Sequence, residues 1–141
     1  MAKVSMQTTI PASADEVWRT ISDFNGLPKF VSAITASSME GSGVGAVRTL
    51  TLQDSDAPIV EKLESLDEQA RSLSYSIIQS PLPLADYLAT VEVRQLDEKQ
   101  CEIKWWSTFE PKGAPEAEAQ KIVEGVYTMA FDGLKKIYGG K

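Results

Sequence analysis

Apolar residues recur along this chain with two different periods, and the change of period divides it. From Glu116 to about Tyr138 no proline interrupts a helical pattern; Pro115 suits its first turn and Gly139-Gly140 its end. At about 100° per residue, Met129, Ile122, Gly133, Val126, Ile137, Ala130, Val123, Leu134, Tyr127, Tyr138 and Phe131 fall around one broad arc. Lys121, Glu124, Thr128, Asp132, Lys135 and Lys136 cover the remainder. An arc that wide suits a helix held inside a curved sheet, and small residues within it, Gly133 among them, are expected to leave space beneath the helix.

The preceding part of the chain reads differently. Val4 to Ile10 alternates and predicts a first strand. Ser13 and Glu16 form a capping box before Val17, Trp18 and Ile21, which predicts a short helix with Trp18 as a core anchor. Leu27 to Val31, with Pro28 in its first turn, predicts another. From Ile34 the period becomes two, with strands expected at about 34–39, 45–53, 58–67, 72–79, 86–96 and 100–110. Turn signals separate them: Gly41-Ser42-Gly43, Asp54-Ser55-Asp56, Asp67-Glu68, Ser80-Pro81-Leu82-Pro83 and Asp97-Glu98-Lys99. The acidic residues of these turns are read as solvated turn formers. Connections this short favour an antiparallel meander. Residues 1–141 are therefore read as a single α+β domain, a seven-stranded curved antiparallel sheet around a long C-terminal helix, with two short helices after the first strand.

Alternation assigns the two faces of that sheet. Leu50 and Leu52, Ile59, Glu61 and Leu63, then Leu73, Tyr75 and Ile77 face inward. Tyr87, Ala89, Val91 and Val93, then Cys101, Ile103, Trp105 and Phe109, continue that face. Lys62, Glu64, Ser74, Ser76, Thr90, Glu92, Arg94, Glu102 and Lys104 form the solvated side. Trp106 belongs to the outer face beside Lys104, a place for a subunit contact.

Composition narrows the chemistry. The chain has no histidine and one cysteine, Cys101, which excludes Ser-His-Asp and Cys-His catalysis, histidine-rich zinc sites and an internal disulfide. No metal and no cofactor are expected. A net charge of −6 argues against nucleic acid as a partner. No apolar run is long enough for stable membrane insertion and the start lacks a signal-peptide pattern, so a cytoplasmic location is expected, as a monomer or weak homodimer. Cys101, between charged neighbours, is read as a small hydrophobe.

Local sequences add a resemblance. Ile10-Pro11-Ala12-Ser13-Ala14-Asp15-Glu16-Val17-Trp18, Gly45-Ala46-Val47-Arg48, Glu61-Lys62-Leu63-Glu64-Ser65-Leu66-Asp67, Tyr87 after Pro81-Leu82-Pro83-Leu84, and Ile103-Lys104-Trp105 before Phe109 occur in that order. With this element order the chain resembles the START/Bet v 1-like superfamily, in its SRPBCC polyketide cyclase/dehydrase-like branch. The resemblance implies a helix-grip fold with a cavity between sheet and long helix, holding lipids, steroids, polyketides or plant hormones. In the related abscisic acid receptors, loops matching Asp54–Pro58 and Ser80–Asp86 close over the ligand; here the first loop differs and the second holds no histidine, which argues against a receptor mechanism.

A partner of that kind, a small hydrophobic molecule, would meet a wall of Leu50, Leu52, Leu63, Tyr75, Ile77, Tyr87, Ala89 and Trp105 from the sheet, and Ile122, Val126, Met129 and Ala130 from the helix. Arg48 and Glu61 share faces with Leu50 and Leu63, so adjacent strands bring them together inside. Such a pair either neutralises itself or serves a ligand, Arg48 holding a carboxylate or enolate and Glu61 accepting a hydroxyl or moving a proton. Glu61, Arg48, Tyr75 and Tyr87 are the catalytic candidates if the chain is a cyclase/dehydratase-type enzyme. The favoured expectation is non-catalytic binding or transport of a lipid-, polyketide- or aromatic-like ligand. A third alternative is a protein-interaction module whose core is filled by its own side chains.

Overall fold

The computed structural model describes residues 1–139. Strand β1 (Ala2–Ile10) leads into α1 (Ala14–Ser22), a 3-10 turn at Leu27–Lys29, and then β2 (Ile34–Glu40), β3 (Val47–Leu52), β4 (Ile59–Asp67), β5 (Ser72–Gln79), β6 (Leu84–Asp97) and β7 (Gln100–Pro111). Helix α2 (Glu116–Gly139) follows; Gly139 is still helical, and Gly140, the other half of the expected stop, lies outside the described residues. The strands form one antiparallel sheet in the order β1-β7-β6-β5-β4-β3-β2. The chain has a helix-grip fold: the sheet curves around α2, and no described helix is long and apolar enough to cross a membrane.

Local chemistry accounts for the elements. Ser13 Oγ accepts from Glu16 N at 3.3 Å and Glu16 Oε1 accepts from Ser13 N at 3.4 Å, the reciprocal box that starts α1. Trp18 is buried, and its indole N–H donates to Glu68 Oε1 at 2.6 Å, so this turn carboxylate also anchors a helix. The segment expected as a second short helix closes only one 3-10 turn, because Phe30 departs from helical geometry immediately after Lys29. Strand β6 starts two residues earlier than the proline-rich turn implied. Leu84 and Ala85 already pair with Pro111 and Glu110, and a register shift around Asp86, which holds a positive φ of 52°, absorbs the irregularity.

The buried stripe of α2 is narrower than its apolar arc. Ala119, Val123, Tyr127, Ala130, Phe131 and Leu134 are buried, whereas Val126 and Ile137 are 38% and 46% exposed. The helix lies closest to β1 and β7, which leaves the β3–β5 half of the sheet to be covered by residues 27–34. Gly133 departs from its expected role. A Cβ there would sit 1.8 Å from the carbonyl oxygen of Phe30, so the missing side chain admits the backbone of the 27–34 segment and leaves no space.

A closed cavity and its carboxylate

An apolar cavity lies where α2, the 27–34 segment and β3–β6 converge. It has a volume of about 110 Å³ and an almost wholly apolar wall. Leu50, Leu52, Glu61, Tyr75, Ile77, Tyr87, Trp105, Val126, Met129 and Ala130, all expected from alternation or helical phase, line it. Leu63 and Ala89 are buried core residues set apart from this wall, and Ile122 is displaced by Val123, one position round the helix. Leu27, Val31, Ala33, Ile34, Ile59, Leu82, Leu84 and Val123 complete the lining. Ile59 shares the inward parity of Glu61, whereas the sequence reads Leu27, Val31 and Ile34 only as a short helix and the start of a strand and does not assign them to the wall. Leu82 gave no periodic signal because it sits between two prolines.

Outside, a groove of about 580 Å³ runs between residues 28–32 and α2, with Lys29, Asp132 and Lys136 among its lining. Its wall is open and carries charged side chains, whereas that of the inner cavity is almost wholly apolar. Met129 borders both, and its sulfur accepts a hydrogen bond from Ala33 N at 3.3 Å. Met129 is the residue that the two linings have in common.

Arg48 and Glu61 face each other directly across β3 and β4. Arg48 Nε and Nη2 donate to the same oxygen, Glu61 Oε1, at 2.8 and 2.5 Å, and Nη1 donates to the carbonyl of Phe24 at 2.8 Å. The guanidinium lies 3.8 Å from the Phe24 ring centre and 5.0 Å from that of Tyr75. Arg48 thus pairs with Glu61 from off the wall of this cavity. Glu61 is 6% exposed, and burial raises its pKa above the usual carboxylate value of 4.5 despite the lowering influence of Arg48. Its second oxygen, Oε2, receives no hydrogen bond from the described residues. It is not sealed either: Ser107 Oγ is the one enclosed, unpartnered side-chain atom among them.

The tyrosines are held by neighbours. Tyr75 accepts the indole N–H of Trp105 at 3.1 Å, and the hydroxyls of Tyr87 and Tyr127 share a hydrogen bond of 2.5 Å. Trp105 stacks on Tyr127 with 5.2 Å between centroids. Ser107 Oγ lies beside the Tyr127 hydroxyl without an aligned hydrogen bond. Burial pushes the Tyr75, Tyr87 and Tyr127 hydroxyls well above their ordinary values, which keeps all three protonated and neutral. The Cys101 thiol is buried and pushed up to about 11, so it carries no thiolate at neutral pH. On the outer face Trp106 is half-buried, with Lys104 Nζ 5.1 Å from its ring centre. No cluster of three or more metal-ligating side chains occurs among the described residues.

Known proteins share this fold. XoxI from Bacillus cereus has a TM-score of 0.91 at 29% identity, with 98% of this chain and 96% of that one covered. An uncharacterised Bacillus thuringiensis protein gives 0.90 at 30% identity, with 97% and 98% covered. The Zhui aromatase/cyclase of a Streptomyces species gives 0.77 at 18% identity over 98% and 92%, a likeness of fold alone. No curated protein matches the chain in sequence. A family model described as polyketide cyclase/dehydrase and lipid transport matches residues 1–139, and the chain belongs to that family.

Proposed function

We propose that the protein binds a small apolar molecule in the cavity between sheet and α2. The observation that carries this reading is an apolar hollow, inside a close-packed domain, whose wall bears one carboxyl group that Arg48 holds by a single oxygen, leaving the other to spare. Burial of the ligand's apolar surface, worth about 25 cal/mol per Å², is the driving force. The ligand enters between the 54–58 loop, the 80–86 loop and the N-terminal half of α2, close to Leu82 and the part-exposed Val126.

Catalysis of a cyclase or dehydratase type is the weaker reading. It needs ionisable groups converging on an empty polar spot, and here they pair with one another: Arg48 bonds Glu61, and the neutral hydroxyls of Tyr87 and Tyr127 share a hydrogen bond. A filled interaction module is weaker still, since the hollow is large enough to hold several waters.

Benzene tests the reading, since a dry apolar cavity of about 150 Å³ is known to accept it. Saturable benzene binding, followed by ligand-observed NMR, is expected for the wild type. Ala130→Leu, which places an isopropyl group into the hollow, is expected to abolish it at a stability cost of about 1–3 kcal/mol. Binding that survives in Ala130→Leu places the site elsewhere.

A further inference from the structure

We infer that the cavity selects an uncharged hydrogen-bond donor no larger than about one ring, a phenol or cyclic alcohol, and rejects carboxylates. The inference rests on the binding role proposed above and concerns what the interior recognises.

Size comes first. At about 110 Å³ the hollow is smaller than a cavity that takes benzene, about 150 Å³. A fatty acyl chain or a steroid is therefore too large to be enclosed in it, and α2 already packs backbone to backbone against Phe30 at Gly133. A single ring fits after side-chain adjustments of the kind Met129 supplies.

Charge comes second. A ligand carboxylate would need Arg48, but its charge is already paired with Glu61, and Glu61 rather than Arg48 lines the hollow. The group an anion would meet is Glu61 itself. A cation fares little better: the pair is already neutral, so an added charge would lose its hydration without a free counter-ion.

Donor character comes third. Both Arg48 contacts fall on Oε1, which leaves Oε2 as an acceptor on a residue more than nine-tenths buried. An O–H from the ligand is the group that completes it, and a hydrogen bond to a charged partner is stronger than one between neutral groups. Of the wall hydroxyls, Tyr75 accepts the indole N–H of Trp105 and Tyr87 shares a hydrogen bond with Tyr127, so Glu61 Oε2 is the wall acceptor that receives no hydrogen bond from the described residues.

The test compares benzene, phenol, anisole and benzoate by titration calorimetry at neutral pH on the intact protein. Phenol is expected to bind about tenfold more tightly than benzene or more, with anisole no tighter than benzene and benzoate without measurable binding. In the double variant Arg48→Met/Glu61→Leu, which leaves no buried charge unpaired, the phenol preference is expected to vanish while benzene still binds. Phenol binding no tighter than benzene overturns the inference while the apolar-binding reading stands. Anisole above phenol would mean a protonated Oε2, and tight benzoate binding would mean that Arg48 turns to the ligand; either result overturns it. Absence of benzene and phenol binding alike removes the underlying reading as well.

Discussion

Glu61→Leu alone is expected to cost about 3–5 kcal/mol of folding stability, whereas Arg48→Met/Glu61→Leu is expected to be neutral or more stable than wild type by about 1–4 kcal/mol. The single change leaves the guanidinium of Arg48, 4% exposed, with only the Phe24 carbonyl and two aromatic faces as partners. The double change removes both charges and their desolvation together, and the surroundings, Leu50, Ile59, Tyr75 and Phe24, are apolar enough to accept the replacements. Urea unfolding midpoints of the three proteins decide the matter. Equal losses in the single and double variants would show that the pair stabilises the fold outright. The pair also predicts a pH dependence. Glu61 is raised above its unfolded value of about 4.5, so the stability linked to its protonation is fully present below that value and is lost as pH rises through the folded pKa. The stability of the wild type relative to the double variant is therefore expected to fall as pH rises from about 4.5 toward neutrality, and a flat difference would contradict it.

Such a pair held at the edge of a hollow was legible in the sequence because strand parity is a short-range rule. Arg48 and Glu61 share inward parity with Leu50 and Leu63, and antiparallel pairing of neighbouring strands then fixes them opposite each other. The same rule placed Tyr75, Tyr87 and Trp105 correctly on the inner face. What parity does not carry is which way the charges point once paired. That depends on Phe24, from a loop with no periodic signal, whose carbonyl and ring draw the guanidinium away from the cavity. Cavity size was illegible for a related reason. It depends on the 27–34 segment, whose backbone path follows one 3-10 turn that Pro28 announces but does not aim. Phase on α2 was legible only to within a residue: Val123, not Ile122, reaches the wall, because the helix leans toward β1 and β7. A wide apolar arc fixes that a helix is enclosed and leaves its rotation to tertiary packing.

Two glycines of the same helix are expected to respond to alanine in opposite directions, and the contrast isolates tertiary approach from helix propensity. Both lie inside α2, where glycine costs up to about 1 kcal/mol relative to alanine. A Cβ on Gly125 would meet nothing within 4 Å, so Gly125→Ala is expected to stabilise the protein by about 0.5–1 kcal/mol. A Cβ on Gly133 would stand 1.8 Å from Phe30 O, 2.6 Å from its carbonyl carbon and 2.9 Å from its Cα. These are backbone atoms, which no rotamer change moves aside. Relief requires the 27–34 segment and α2 to separate, and those two elements supply Leu27, Val31, Ile34, Val126 and Ala130 to the cavity wall. Gly133→Ala is therefore expected to destabilise by about 3 kcal/mol, the upper end of ordinary overpacking, with the propensity gain hidden beneath it. It is also expected to weaken retention of any ligand, because the wall opens along its own seam. Thermal unfolding of the two variants side by side reads the result, and a stabilised Gly133→Ala would show that the helix and the turn do not meet as closely as these atoms do.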